Sequence, residues 1–546
     1  MSDMGWTEVT TVGGLISRAA AREDAGAIVF PQERATTVEL DALAQRFALG
    51  LLALGVGRGD HVGILLPQRL DYIASFVAIT RIGAVPVPIN ARFKGAELGH
   101  VIPHAELSVL FVSGGGDEVV DYAALVADII PTAPLLRHIV HLGPGAAPPF
   151  VDRETFLSGG ETVDPAEVDR LATLVRLRDV GMIMYTSGTT AEPKGCLITH
   201  EAMVRQAQNY QQRFELGPED AYWDPLPLFH IGGIIPLLAC LDIGCRYCHP
   251  DQFDPREALE MMQAERCTVA MPVFDTIWLA ILNHPEFERA DLTSLRTALL
   301  LGTPESLRLA QERTPWMAQI SGSGSTESCA NLVLGSFRDP LDKRLTTCGR
   351  LMNGMEIRII DPETGADLDP GESGELLFRG VGLFEGYYKE PELTASMIDT
   401  DGWFHSGDLA SMSADGYLSY EGRLKDALKV GGENVSPLEV EDFIRAHPAV
   451  SIVSVVGAPD ERYGEVVTAF IELNPGAQTS QEEIVDFCLD RIATFKVPRY
   501  VRFVSEWPMS GTKIAKRRLR DQIIDELREA GITQAPSVRR TVASGT

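Results

Sequence analysis

The residues best suited to chemistry are five small or hydroxyl-bearing ones in a row: Thr186, Ser187, Gly188, Thr189 and Thr190. Ala191-Glu192-Pro193-Lys194-Gly195 follows at once. Such a run has little side-chain bulk and many donors. Its backbone N–H groups and hydroxyls can surround phosphate oxygens while a lysine neutralises their charge. The apolar run 182–185 just before it predicts a strand that carries the loop to the end of a sheet. The Walker spacing G-x4-G-K-[S/T] is absent, so a P-loop nucleotide hydrolase is excluded.

The elements around the loop alternate. Residues 25–30 read as a strand, and 38–55 as a helix with Leu40, Leu43, Ala44, Phe47 and Leu51 at helical spacing. Residues 61–67 read as a strand, 72–83 as a helix and 84–89 as a short strand. That rhythm predicts an α/β architecture with parallel-rich sheets covered by helices. At 546 residues the chain exceeds one domain. Past residue 422 the character changes. Residues 491–520 carry nine Lys or Arg against one acidic residue, Glu506, which predicts a separate C-terminal module. That basic run reads either as a solvated face or as a surface that meets a polyanionic small molecule.

Composition narrows the function. With 48 basic and 76 acidic residues the formal charge is −28, which argues against binding nucleic acid or an anionic membrane surface. The N-terminus has neither the basic nor the apolar segment of a secretory signal. The most apolar stretch, 231–245, contains Asp242 and is too short and too broken by Gly and Pro to span a bilayer. Eight cysteines are sparse, and the expectation is reduced thiols in a cytoplasmic protein. The Cys245-x-x-Cys248 pair lacks the second pair that a structural zinc site needs.

The segment 185–195, YTSGTTAEPKG, resembles the signature loop of the adenylate-forming superfamily: acyl- and aryl-CoA synthetases, peptide-synthetase adenylation domains and luciferases. Ala191 stands where that family usually has Gly. Further matching motifs follow in the same order over about residues 35–520. The resemblance implies a large N-terminal domain, 1–424, carrying the ATP and acyl sites. It also implies a small mobile α+β C-terminal domain, 425–546.

Residue by residue, the resemblance implies that Thr186 to Thr190 and Lys194 hold the ATP phosphates. In Gly322-Ser323-Gly324-Ser325-Thr326-Glu327, Glu327 holds Mg2+ through oxygen and Thr326 contacts the phosphate or carboxylate region. Ser323 replaces the aromatic residue that usually lies against adenine. In the segment 401–408 Asp408 is the acceptor for both ribose hydroxyls. Arg423 is its companion at the ribose, and Lys425 is the hinge about which the C-terminal domain rotates. Gly431 and Gly432 line the CoA pantetheine path. In 508–514, one residue shorter than usual between Pro and Lys, Lys513 is the catalytic lysine, with Lys516 as the alternative. His230, in the segment 227–233, sits near the substrate carboxylate. Trp223, Phe274, Gly302 and Thr303 shape the acyl pocket.

The implied function is an ATP-dependent acyl-CoA synthetase. It would activate a small carboxylic acid as acyl-AMP, release pyrophosphate and pass the acyl group to CoA, with ATP, Mg2+ and CoA as cofactors. The alternatives are transfer of the acyl group to a carrier protein or an amine, luciferase-like oxidation of the adenylate, and a binding protein without catalysis. The sequence does not identify the acid. It leaves the oligomeric state open, a homodimer included.

Overall fold

The computed structural model describes residues 10–22, 26–114, 120–145, 149–186, 192–430, 433–489, 491–510 and 513–537; at 425, 433, 434, 510 and 513 it describes the backbone alone. The chain divides into two compact units. The first comprises Met1–Gly302, Ser306–Ile357 and Phe378–His405; the second comprises Thr303–Glu305, Arg358–Leu377 and Ser406–Thr546.

The first unit is α/β, as the alternation predicts. One sheet has five strands, all parallel, in the order Val85–Pro88, His61–Leu65, Leu107–Val112, His138–His141, Val151–Asp152. Pro86 and Pro88 cannot donate to a ladder, and their strand accordingly lies at the sheet edge. The predicted helix at 38–55 forms over Thr37–Ala53. Thr36 and Glu39 close a reciprocal capping box, which starts it one residue earlier than the apolar pattern alone indicates. Its buried stripe is Leu40, Ala44, Phe47 and Leu51.

A second sheet has seven strands in the order Ala318–Ile320, Thr297–Leu300, Val269–Val273, Ala221–Trp223, Arg246–Cys248, Ala27–Val29, Arg34–Thr36. Only its last pair is antiparallel. The apolar stretch after His230 is the helix Ile231–Ile243, buried on nearly every side. Among the described residues no helix is long and apolar enough to cross a membrane.

The second unit is α+β. Its sheet runs Glu433–Val435, Leu428–Val430, Gly464–Leu473, Val450–Asp460, with Tyr500–Phe503 joining Gly464–Leu473 in parallel. Much of the predicted basic run is occupied inside this unit. Lys496 pairs with Glu439, Arg502 with Glu526, Lys516 with Glu441 and Arg520 with Glu465. Neither reading of the run foresaw that these four charges each have a carboxylate partner within the unit.

Candidate active site

In the first unit an antiparallel pair, Val180–Thr186 and Lys194–Thr199, holds both ends of the small-residue loop. Thr186 stands directly opposite Lys194. Ser187, Gly188, Thr189 and Thr190 lie outside the described residues. The short strand Gly386–Tyr387 adds to the same sheet, with Tyr387 opposite Cys196. That placement builds a three-membered contact. The Tyr387 hydroxyl donates to Glu327 Oε1 at 2.8 Å, and the Lys194 ammonium lies 5.7 Å from the Tyr387 ring centroid. A cation over a ring face and a phenol on a carboxylate fix both charged groups by one side chain.

Glu327 is also fixed through its backbone. Strands Gly322–Ser325 and Ala330–Leu334 are antiparallel with a bulge after Ser323. The Ser328 hydroxyl accepts from Ser325 N at 2.9 Å and donates to Ala330 O at 2.7 Å. A Cβ on Gly324 would lie 2.0 Å from Ala330 O, so that position requires glycine. Cys329 and Ala330 both have positive φ, 52° and 83°, a strained conformation of the kind found at ligand-handling turns. Glu327 O in turn accepts Phe384 N at 3.0 Å. Thr326 precedes Glu327 on this turn, and half-buried Ser323 sits opposite Val333.

A Mg2+ ion suits this corner. Tyr387 engages Oε1 of Glu327, and carboxylate oxygen is the donor type this hard cation takes. A single carboxylate completed by phosphate oxygens and water is how this cation is commonly held.

His230 precedes the helix Ile231–Ile243, with the Phe229 ring 4.8 Å from its own. Burial, aided by the nearby Arg92 charge, lowers its pKa to about 4. It is therefore a neutral imidazole near pH 7, able to hydrogen-bond a substrate oxygen without ion-pairing to it. Trp223 is wholly buried, in a core cluster with Trp278, Ala270 and Leu300. Phe274 is 52% exposed, at the carboxyl end of a parallel strand, where α/β sheets bind ligands. The turn before it is strained. Val273 has φ 60°, while Phe274 N donates to Pro272 O at 2.6 Å and Leu301 N to Val273 O at 2.7 Å. Gly302 lies against Asp275: a Cβ there would be 2.4 Å from Asp275 Oδ1. Thr303 groups with the second unit.

In the second unit Asp408 and Arg423 are direct partners across the antiparallel strands Phe404–Met412 and Leu418–Arg423. Their side chains pair at 3.0 Å, and Arg423 also donates to Ser406 O at 3.0 Å. Lys425 is the middle residue of the short helix Leu424–Asp426. Lys513 opens the strand Lys513–Ile514, paired with Met509–Ser510. Gly431 and Gly432 lie outside the described residues.

Sequence reasoning missed Tyr387, Ser328 and Asp275. None has a local spacing that marks it. Tyr387 acquires its place because a strand distant in sequence joins the loop hairpin, and Asp275 because Gly302 leaves room for its carboxylate.

The family model described as AMP-binding enzyme matches residues 15–388, and AMP-binding enzyme C-terminal domain matches 439–513. A feruloyl-CoA synthase from Amycolatopsis sp is 34% identical, over 92% of this chain and 97% of its own. A crystal structure of an anthranilate CoA ligase with anthranoyl-AMP superposes with TM-score 0.83 at 27% identity, covering 95% of this chain and 98% of that one. An amide bond synthetase from Marinactinospora thermotolerans superposes with TM-score 0.81 at 26% identity, covering 94% and 100%.

Proposed function

We infer the reaction from one premise: this chain belongs to the AMP-binding enzyme family, the adenylate-forming superfamily, and is an AMP-forming acid–thiol ligase of the acyl-CoA synthetase type. Its substrates are ATP, a carboxylic acid and CoA. The finer assignments below are our reading.

The observation that carries them is the Lys194–Tyr387–Glu327 contact. It supports a site where one carboxylate and one ammonium are held ready for a triphosphate. Thr186 to Thr190 and Lys194 bind the β and γ phosphates. Glu327, oriented by Tyr387, holds Mg2+, which when bound supplies positive charge to phosphate oxygens. Thr326 contacts the α-phosphate or the substrate carboxylate. Ser323 borders the adenine, and Asp408 accepts from the ribose hydroxyls with Arg423 beside it. The neutral His230 orients the acid. Phe274, Gly302 and Thr303 border its body, with Trp223 as buried support, which favours an acid with an apolar body.

In the first half-reaction a carboxylate oxygen attacks the α-phosphorus, the bond to the β-phosphate oxygen breaks, and pyrophosphate leaves. Lys513 stabilises the charge that builds on the α-phosphate oxygens. In the second, the CoA sulfur attacks the acyl carbon and AMP leaves, the pantetheine passing Gly431 and Gly432. Lys425 is the pivot between the two, separating a domain 1–424 from a domain 425–546.

Likeness to an amide bond synthetase favours one second reading, in which an amine takes the acyl group. A panel of carboxylic acids with ATP, Mg2+ and either CoA or an amine tests both. AMP release with a thioester mass supports CoA as acceptor. Release with an amide mass only moves the acceptor to the amine, and no AMP release with any acid rejects the ligase reading.

A further inference from the structure

Shortly before His230 the chain carries a buried carboxyl that the reaction does not use. Asp224 and His249 are the first residues past the carboxyl ends of two neighbouring parallel strands, Ala221–Trp223 and Arg246–Cys248. Both side chains are wholly buried, and both reach the same residue. Asp224 Oδ1 accepts the Leu226 N–H at 2.9 Å, and its Oδ2 accepts the Tyr247 hydroxyl at 3.1 Å. His249 Nε2 lies 3.1 Å from Leu226 O, while its Nδ1 accepts the Asp251 N–H at 2.9 Å. A peptide carbonyl only accepts, so the hydrogen is on Nε2 and the tautomer is fixed. Both backbone groups of Leu226 are thus held by buried side chains. The backbone behind those side chains is tied to the sheet: Asp224 N donates to Cys248 O at 3.0 Å and His249 N to Val29 O at 2.9 Å.

The turn that carries His230 closes on this same residue. The chain leaves Leu226, passes His230 and comes back with Gly232 and Gly233. A Cβ on Gly232 would lie 2.8 Å from Leu226 Cδ1, and one on Gly233 would lie 2.6 Å from Pro227 O and 2.7 Å from Leu226 O. Gly233 must therefore lack a side chain for the start of the helix Ile231–Ile243 to rest on the 226–227 peptide. Within the turn His230 N donates to Pro227 O at 2.9 Å, and His230 O accepts Gly233 N at 3.0 Å. From outside the turn Gln68 Oε1 accepts the Leu228 N–H.

We propose that Asp224 is a positioning residue for His230: by fixing Leu226 it sets where the imidazole stands against the substrate carboxylate. What the anchors hold is main chain, so a shift of Leu226 carries the His230 backbone with it. A misplacement of about 1 Å can cost about 10²-fold in rate. Burial pushes the Asp224 carboxyl well above the usual carboxylate range, against the opposing effects of the Leu226 N–H and the Tyr247 hydroxyl. Asparagine, uncharged and of nearly the same shape, is therefore its conservative replacement. Its carbonyl oxygen can accept from Leu226 N, and its amide can donate to the Tyr247 oxygen. Alanine leaves the Leu226 N–H buried without that acceptor.

This inference rests on reading His230 as the group that meets the acid, and the experiment separates the two. Steady-state adenylation is measured with the acid that releases AMP fastest in the panel of carboxylic acids, and ATP binding is measured at equilibrium with Mg2+. The variants are Asp224→Ala, Asp224→Asn and Gln68→Leu, each with His230 present and with His230→Ala. With His230 present, D224A should lower kcat/KM for the acid by about 10- to 100-fold. D224N should stay close to the wild type, and the ATP dissociation constant should not change in either. With His230→Ala in place, D224A should cost no more than about twofold, because a residue that acts through His230 has nothing left to displace. Q68L should show the same pattern at smaller size, and it decides the matter should D224A fail to fold. An equal loss with and without His230 would overturn the proposal. So would an equal loss of ATP affinity, or a D224N loss as large as that of D224A. Each of these leaves the role of His230 itself standing. If His230→Ala alone leaves kcat/KM for the acid unchanged, the reading of His230 falls and this inference with it.

Discussion

The Lys516 ammonium lies 2.6 Å from the carboxylate of Glu441, a buried side chain that also accepts the Val455 N–H at 2.7 Å. Of the two lysines that end the basic run, Lys516 therefore has a structural occupation. Removing it leaves a buried carboxylate short of its charge partner. Lys516→Ala should destabilise the second unit by about 1–3 kcal/mol and leave most of the adenylation rate in the folded protein. Lys513→Ala should lower adenylation by about 10²-fold or more, with little change in stability. Thioester formation from supplied acyl-adenylate should survive it. Pyrophosphate exchange and denaturant titration on both variants check this, and a reversed pattern would transfer the catalytic role to Lys516.

Tyr387 gives a second, separable test. Tyr387→Phe removes the hydroxyl from Glu327 and keeps the ring under Lys194. A hydrogen bond to a charged group corresponds to about 1.5–3 kcal/mol, so kcat/KM for adenylation should fall by roughly 10- to 100-fold. The Mg2+ concentration needed for half-maximal AMP release should rise. Tyr387→Leu, which also removes the ring, should add a loss in ATP affinity. Should the phenylalanine variant keep the wild-type Mg2+ dependence, the tyrosine does not orient the metal carboxylate.

These two cases also mark how far the sequence could be read. The strand that runs into Thr186 was legible because its signal is local: a short apolar run ahead of a run of small residues is enough to announce it. The α/β architecture was legible for the same reason, since apolar period and capping residues such as Thr36 and Glu39 act within one or two turns. Tyr387 was not legible, because its role depends on a two-residue strand finding the edge of a hairpin nearly two hundred positions earlier. The buried partner of Lys516 was likewise hidden. Glu441 resembles any surface glutamate until the helix Pro437–Arg445 packs it inward. Charge counting over 491–520 correctly found an unusual segment, but could not see that four of its cations already have partners.

Buried histidines contribute to the response to acid. Burial lowers the pKa of His200 and His249 from 6.5 to about 4. His249 uses both nitrogens as a neutral ring: Asp251 N donates to Nδ1 at 2.9 Å, and Nε2–H donates to Leu226 O at 3.1 Å. A second proton would meet another N–H. In the unfolded chain these imidazoles take up protons below pH 6.5, whereas in the folded chain they do so only below about pH 4. The unfolded state binds more protons across that interval, so stability is complete above it and falls as pH drops through it. Each ring contributes on the order of 1–3 kcal/mol to the fall. Denaturation midpoints followed downward from neutral pH should decline, and His249→Asn should show a shallower decline than the wild type. Identical slopes would mean that His249 is protonated in the folded protein.

Ser323 offers the last test. It lies on the strand Gly322–Ser325, opposite Val333, partly open to solvent, at the position where the resembling family carries an aromatic ring against adenine. A hydroxymethyl group presents no face to a base. Ser323→Tyr supplies one without disturbing Gly324, whose missing Cβ the neighbouring Ala330 carbonyl requires. Aromatic contacts of this kind add about 0.5–1.5 kcal/mol, so the dissociation constant for ATP should fall by about two- to tenfold. The benefit should extend to AMP and adenosine, because it acts on the base. A gain confined to ATP would place residue 323 near the phosphates, and weaker binding of all three would mean that the strand holds this side chain away from the base.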